Sequence, residues 1–390
     1  MNVTLLGLEF AIQNYGCQAL AYSFANELNK VAQIEKVQMN YTAVVFAVSE
    51  HIYVPGTEQK IECMKIRYKS LSFWRDLRKL FKNSDLVVDF TGGDSFSDIY
   101  GTKRFYMSSL IKVLAIKSGT TFVLGPQTYG PYKRKMVKRL ASYIIRKSYS
   151  VYTRDEESRK YVAELSGRDI LLTTDVAFSL PKEDTDTIED TDCIKIGINP
   201  SGLLWNGGYE FAKIPLNMDY QKYCRKLLEY LTKEQKYKVY LIPHVGTKDD
   251  PEIENDYYTC KKLHEEFEST VFVEDLKSPM EAKGIISQMD VFCGARMHAT
   301  IAAFSSGVAT IPVSYSRKFE GLYGSLDYKY VVHACTQSTK EAVECTVKYI
   351  QEYKKLERTV EDSLKKVYVH QQSFREAMCK MVQEIHGGKN

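Results

Sequence analysis

The segment from Val291 to Tyr315, VFCGARMHATIAAFSSGVATIPVSY, holds the residues best suited to chemistry. The apolar run Val291-Phe292-Cys293 reaches Gly294. Arg296 and His298 follow with Met297 between them, and an Ala- and Ser-rich helix leads through Gly307 to a second apolar run. This is strand, turn, helix, strand, with a guanidinium and an imidazole where the helix begins. Helix N-termini favour anions, because free N–H groups and the macrodipole point there. Arginine adds bidentate binding of carboxylate or phosphate, and histidine a proton donor near neutral pH. The plain alternative is a surface Arg and a capped core His; their pairing at a turn between two buried-looking strands favours ligand chemistry. A second cluster is TGGDSFSDIYG, residues 91–101. Paired glycines after a strand let backbone approach a ligand closely. Asp94 and Asp98 lie four apart and would share a face if a helix begins here. They could accept protons from sugar hydroxyls or bind a metal, or serve only as helix caps.

Elements that could position these groups are visible along the chain. Strand-like runs alternate with helical patterns almost throughout, which predicts an α/β fold with parallel sheets. Strands are expected at Val3–Phe10, Asp85–Phe90, Thr121–Leu124, Val151–Thr153 and Leu171–Thr173, each followed by a polar or glycine-rich group where open α/β sheets bind ligands. A second series is expected at Ile194–Ile198, Val239–Pro243, Thr270–Val273, Val291–Cys293 and Thr310–Val313. The acidic stretch Glu183–Asp192 reads as a linker. This gives an N-terminal domain over 1–182, a C-terminal domain over 193–338, and a helical tail over 339–390 that would pack back on the first domain.

Composition sets outer bounds. The 390 residues are too many for one ordinary core, and 44% hydrophobic with 26% charged residues is a globular balance. No run approaches the ~18 apolar residues of a membrane span. The N-terminus carries Glu9 inside its apolar run and no basic leader, so it reads as a first strand and argues for a cytoplasmic protein. Nine cysteines show no metal-like spacing and read as reduced thiols, with Cys17 able to pack or to touch a ligand. A net charge of +4 does not suggest nucleic acid, while 28 tyrosines would suit a sugar site.

Several motifs, taken in order, resemble the polysaccharide pyruvyl transferase family. They are Asn14-Tyr15-Gly16, Gly92-Gly93-Asp94-Ser95-Phe96-Ser97-Asp98, Gly125-Pro126-Gln127-Thr128-Tyr129-Gly130-Pro131 and Arg154-Asp155-Glu156-Glu157-Ser158. Asp175-Val176-Ala177-Phe178, Pro243-His244, Gly294-Ala295-Arg296-Met297-His298 and Tyr315-Ser316-Arg317-Lys318 complete the set. The resemblance implies a GT-B-like fold of two Rossmann-like domains facing across a cleft. It also implies transfer of the enolpyruvyl carbons of phosphoenolpyruvate onto two hydroxyls of a sugar in a surface-polysaccharide precursor, as a cyclic ketal, with release of phosphate.

That reaction needs an acid, cations for two anionic groups, and a base. On this reading His298 is the general acid, Asp94 the acceptor base and Arg296 the main clamp on the donor anion. Arg154, Lys318, Asn199 and Ser201 are further donor ligands, and Asn14, Gln127, His244 and Asp98 contact the acceptor. Plainer roles stand beside these: a salt bridge from Arg154 to Asp155 or Glu156, a solvated loop Lys318, a structural His244, a capping Asp98. No cofactor or metal is required, and Asp249-Asp250 beside Pro251 reads as a solvated turn.

The resemblance further implies an acceptor that could be lipid-linked, and so peripheral contact with the inner face of a membrane. Two segments could provide it: Phe73–Lys82, mixing aromatics and bases, and the basic set Lys133-Arg134-Lys135, Lys138-Arg139 and Arg146-Lys147. Each is equally readable as a helix with one solvated face. Two rival functions remain: a nucleotide-sugar glycosyltransferase of the same architecture, which would need a ribose-contacting acid such as Glu281, and a non-catalytic sugar- or anion-binding protein.

Overall fold

A computed structural model describes residues 1–185, 188–209, 212–249 and 253–387. The chain forms two compact units. Unit 1 comprises residues 1–12, 20–176 and the chain from Tyr368 onward; unit 2 comprises 13–19 and 177–367.

The strands of unit 1 are β1 (Asn2–Leu6), β2 (Asn40–Val45), β3 (Ile61–Lys65), β4 (Leu86–Asp89), β5 (Thr121–Gln127), β6 (Ser150–Thr153) and β7 (Leu171–Leu172). All pair in parallel, in the order β3-β2-β1-β4-β5-β6-β7. The helices in this stretch are α1 (Tyr15–Glu35), α2 (Leu71–Asn83), α3 (Thr102–Lys117), α4 (Lys135–Lys147) and α5 (Glu156–Ser166). One core joins α2 to α5 and the strands through Phe81, Phe105, Ile144, Val162, Val87 and Phe122, all buried. In α2, Phe73, Leu77 and Phe81 point into that core and Trp74 donates its indole N–H to Tyr68 O at 3.0 Å. The apolar side of segment 73–82 is therefore already covered by protein.

Unit 2 contains β8 (Ile194–Asn199), the short antiparallel pair β9 (Gly208–Tyr209) and β10 (Ala212–Lys213), β11 (Tyr237–Leu241), β12 (Val271–Phe272), β13 (Val291–Gly294), β14 (Ala309–Ser314) and β15 (Val332–His333). Its parallel sheet runs β12-β11-β8-β13-β14-β15, so counted from its own first strand it has the same order as six strands of unit 1. Its helices are α6 (Gly202–Trp205), α7 (Tyr220–Lys233), α8 (Asp256–Glu266), α9 (Pro279–Ile286), α10 (Met297–Phe304), α11 (Arg317–Ser325), α12 (Thr339–Gln351) and α13 (Tyr353–Gly387). The tail is thus two helices. α12 packs on α7, while α13 belongs to unit 2 as far as Val367 and to unit 1 from Tyr368. There Phe374 lies tilted against Phe24 and edge-on to Tyr152, and Arg375 pairs with Glu27.

Three sequence expectations are corrected. β1 ends at Leu6, because Gly7 turns the chain at φ +65° directly against Thr91. β2 and β3 were not anticipated; β3 is an edge strand, IECMK, with a single buried residue and so a weak alternation signal. The passage between units falls at Val176–Ala177, ahead of the acidic stretch 183–192. Glu183 donates its N–H to Met280 O at 3.1 Å, and Gln288 reaches Thr185 O at 3.0 Å. Residues 183–185 are thus laid along α9 of unit 2; residues 186 and 187 lie outside the described residues. Among the described residues no helix is long and apolar enough to cross a membrane.

Candidate active site

In each sheet the strand order reverses once, between β1 and β4 in unit 1 and between β8 and β13 in unit 2. Open α/β sheets bind ligands beyond the carboxyl ends of the strands at such points. Both chemical clusters of the sequence lie there: residues 91–98 directly after β4, and Arg296 and His298 directly after β13.

In unit 2, Gly294 stands beside Asn199 in the sheet. A Cβ at Gly294 would meet Phe292 Cε1 at 2.9 Å and Asn199 Cβ at 3.3 Å, so only glycine lets the turn sit this close. Asn199 Oδ1 accepts the Arg296 N–H at 3.1 Å, and its amide donates to Ile242 O at 2.9 Å. Asn199 thus pins the turn from beneath rather than reaching for a donor phosphate. Ser201 is likewise structural: fully buried, it caps α6 through the Leu204 N–H and donates its own N–H to Tyr220 Oη at 3.0 Å.

Arg296 is corrected more deeply. Its guanidinium is buried and grips Asp256, with Nε at 3.1 Å and Nη2 at 2.9 Å from Oδ1. Nη1 lies 3.3 Å from Glu254 Oε2, and Nη2 also donates to the Glu254 carbonyl. Burial works against the positive charge, but Asp256 outweighs it and the guanidinium pKa is raised. Two carboxylates therefore answer one cation, and Arg296 is a buried strut in place of the main donor clamp. Asp256 is the hub of this region: fully buried, it also accepts N–H groups of Gly202 at 2.8 Å and His244 at 3.2 Å. The sequence shows Asp256 only as an acid beside the cap Asn255 of α8; its partners His244, Arg296 and Gly202 lie 12, 40 and 54 positions away and leave no local signal.

His298 lies half-buried in the first turn of α10. The Asn14-Tyr15-Gly16 loop belongs to the same unit. A Cβ on Gly16 would fall 2.5 Å from His298 Nδ1, so the glycine is what lets the loop pack on the imidazole. Asn14 Oδ1 accepts the Cys17 N–H at 3.2 Å, and Tyr15 N–H donates to His244 O at 3.1 Å. Asn14, read as an acceptor residue, is thus assembled with His298. His244 is buried, its ring edge-on to Tyr15. Burial first, then the charges of His298 and Arg296, push its pKa down to about 3, so it is a neutral imidazole.

The helix ends of unit 2 divide into two kinds. Ser201, Asp219, Asn255, Ser278 and Ser338 cap α6, α7, α8, α9 and α12 through their side chains. The N-termini of α10 and α11, which follow β13 and β14, have no side-chain cap. α11 moreover opens with Arg317 and Lys318, cations at the end where the helix dipole disfavours them. Lys318 is half-buried. Glu281 accepts the Lys277 N–H at 2.6 Å as part of the α9 cap.

In unit 1, Gly92 and Gly93 take φ of 64° and 85° in a single 3₁₀ turn, and Asp94 ends it half-buried. Asp94 Oδ2 accepts the Tyr100 hydroxyl at 2.9 Å. No helix begins there: α3 starts at Thr102, so Asp94 and Asp98 do not share a helical face. Asp98 accepts the N–H groups of Lys133 at 3.0 Å and Arg134 at 3.2 Å and so staples the loop before α4. Gln127 is fully buried, and its amide nitrogen donates to Asp89 O at 3.1 Å. Arg154 is fully buried and pairs with Asp175 at 2.5 Å, neither a donor ligand nor a partner of Asp155 or Glu156. Asp155 caps α5, and Glu156 pairs with Arg159. The Arg154 guanidinium underlies Gly93, where a Cβ would stand 3.1 Å from Nη1. A buried pair the sequence did not disclose, Lys112 with Asp89 at 3.2 Å, braces the end of β4. Burial lowers the Lys112 pKa against the pull of Asp89.

Among the described residues no group of three or more His, Cys, Asp or Glu is placed to hold a metal. Asp250 and Pro251 of the Asp249-Asp250 turn lie outside the described residues.

A family model described as polysaccharide pyruvyl transferase matches residues 14–317. Comparison with curated proteins gives no match. Among solved structures, the chain is similar to a UDP-GlcNAc 2-epimerase from Neisseria meningitidis (TM-score 0.59, 11% identity, 97% of this chain and 100% of that one). It is similar to a sucrose-phosphate synthase from Thermosynechococcus elongatus (TM-score 0.59, 7% identity, 100% of both chains). A glycosyltransferase from Rickettsia africae gives a TM-score of 0.57 at 12% identity over 98% of both chains. At these identities the likeness establishes the fold alone, which is GT-B-like, as the sequence motifs implied.

Proposed function

Since the chain belongs to the polysaccharide pyruvyl transferase family, we propose that it moves the enolpyruvyl group of phosphoenolpyruvate onto two hydroxyls of one sugar. The family makes it a transferase of polysaccharide pyruvylation; donor, acceptor and residue roles are our reading. The observation that carries the reading is the pair of uncapped helix N-termini in unit 2, those of α10 and α11. Phosphoenolpyruvate has two anionic groups, a carboxylate and a phosphate, and uncapped N-termini suit such groups. Arg317 and Lys318, in the first turn of α11, add positive charge at that end.

The chemistry follows from these positions. His298, in the first turn of α10, protonates donor carbon 3 and leaves an oxocarbenium-like centre at carbon 2. The first sugar hydroxyl adds to carbon 2 and loses its proton, which restores the acid. The second hydroxyl then displaces phosphate, which departs with that hydroxyl's proton, and the ring closes as a ketal bearing a methyl and a carboxylate. His244, neutral and buried, keeps a second positive charge away from His298. The engagement of Glu281 in the α9 cap weighs against a nucleotide-sugar donor.

The test is a donor screen with a galactose- or mannose-type acceptor. Phosphate release is expected with phosphoenolpyruvate and only when the acceptor is present. Turnover with nucleotide sugars and none with phosphoenolpyruvate would overturn the reading.

A further inference from the structure

Between Asp98 and Asp155 the chain has no acidic residue, yet those 56 positions, 99–154, hold 12 Lys and Arg. The remaining chain carries 41 Lys and Arg against 49 Asp and Glu. Charge is therefore segregated, and the structure shows where it goes. Lys112 and Arg154 are buried in the ion pairs already described; the other ten cations are exposed on α3, on α4 and on the loop before α4. Among the described residues none of the ten is paired with a carboxylate through its side chain.

α3 and α4 pack side by side over one core. Phe105, Ile111 and Ala115 of α3, and Val137, Ala141 and Ile144 of α4, turn inward. The opposite faces carry apolar side chains among the cations. On α3, Lys103, Tyr106, Leu110 and Lys117 recur at steps of three, four and seven; on α4, Met136, Arg139, Tyr143 and Lys147 recur at three, four and four. Each set shares one face of its helix. Met136 is 63% exposed, Leu110 49%, Tyr106 42% and Tyr143 40%.

We propose that the outer face of α3 and α4 docks the protein on an anionic lipid bilayer. Cations alone would suit any polyanion. Apolar side chains set among them suit a bilayer, whose headgroups answer the charge and whose acyl boundary takes up Met, Leu and Tyr. This goes beyond the pyruvyl transfer reading and uses none of its residues.

Sedimentation with phosphatidylcholine vesicles, with and without phosphatidylglycerol, tests it in the absence of donor and acceptor, so its result is independent of the transfer assay. The full chain is expected to sediment with the anionic vesicles only. Met136→Gln with Tyr143→Gln, and separately Lys138→Glu with Arg139→Glu, should each weaken binding on the order of tenfold or more. All four positions are exposed, so thermal stability and transfer to a soluble acceptor should be unchanged. No sedimentation of the unaltered chain would overturn the proposal. So would binding that the charge variant abolishes and the Met136/Tyr143 variant leaves intact, which would mark a surface for soluble polyanions. Binding indifferent to both variants would assign the contact elsewhere and overturn it equally.

Discussion

Removing the imidazole of His298 should cost at least ~100-fold in kcat, the usual contribution of a positioned acid, while leaving the fold intact. Steady-state phosphate release by His298→Ala measures it, and a loss under about tenfold would reduce His298 to an orienting group. Asp256 behaves oppositely. It touches no proposed reacting atom, but it holds a fully desolvated guanidinium, so Asp256→Ala should lower the unfolding free energy by about 3–5 kcal/mol. Denaturant melts would show this directly; an unchanged midpoint would mean that the strut is not structural. His244 gives a pH signature. Its native pKa near 3 lies below its ordinary 6.5, so the unfolded chain binds the proton first as pH falls. His244 costs no stability above 6.5, and the cost grows as pH drops from 6.5 toward 3. His244→Asn should flatten the fall of thermal midpoint across that window, and an unaltered slope would contradict a buried neutral imidazole.

At the scale of elements, the helix ends carry the functional information. α10 and α11 lack caps where the other assigned helix ends of unit 2 have them, and α11 places two cations against its own dipole. Lys318→Ala is therefore expected to raise KM for phosphoenolpyruvate on the order of tenfold, with little change in kcat or stability. Equal KM values would remove α11 from the donor site. Much of this was legible in the chain: the strand-turn-helix around Arg296 and His298, and the glycine loop after β4, are written in contiguous residues. What was not legible is long-range pairing. Arg296 looks like an anion ligand until Asp256 is seen against it, and Arg154 until Asp175 is. Gln127 and Asn199 have the polar tips of ligand residues, but strand packing turns those tips onto neighbouring backbone. Gly16 could be read only as part of a motif; that it clears space for His298 depends on residues 282 positions further along.

For the molecule as a whole, two sheets share one strand order, and each carries its chemical cluster at its own reversal point. The alternation of strands and helices was enough to anticipate that architecture. The unit boundaries were less readable, because residues 13–19 leave unit 1 to pack beside His244 and His298, and α13 belongs to both units. The same scale holds the segregated charge of residues 99–154, which sets the face of α3 and α4 apart from the otherwise acidic chain. The central claim concerns the bond-forming step, and the product is its clearest witness. The protein, phosphoenolpyruvate and a galactose- or mannose-type acceptor should yield, by proton NMR, a new ketal methyl singlet on the sugar. Phosphate should appear in equal amount, and both should be lost together in His298→Ala. Phosphate release with no methyl signal on the sugar, or a glycosidic product formed from a nucleotide sugar, would contradict the account.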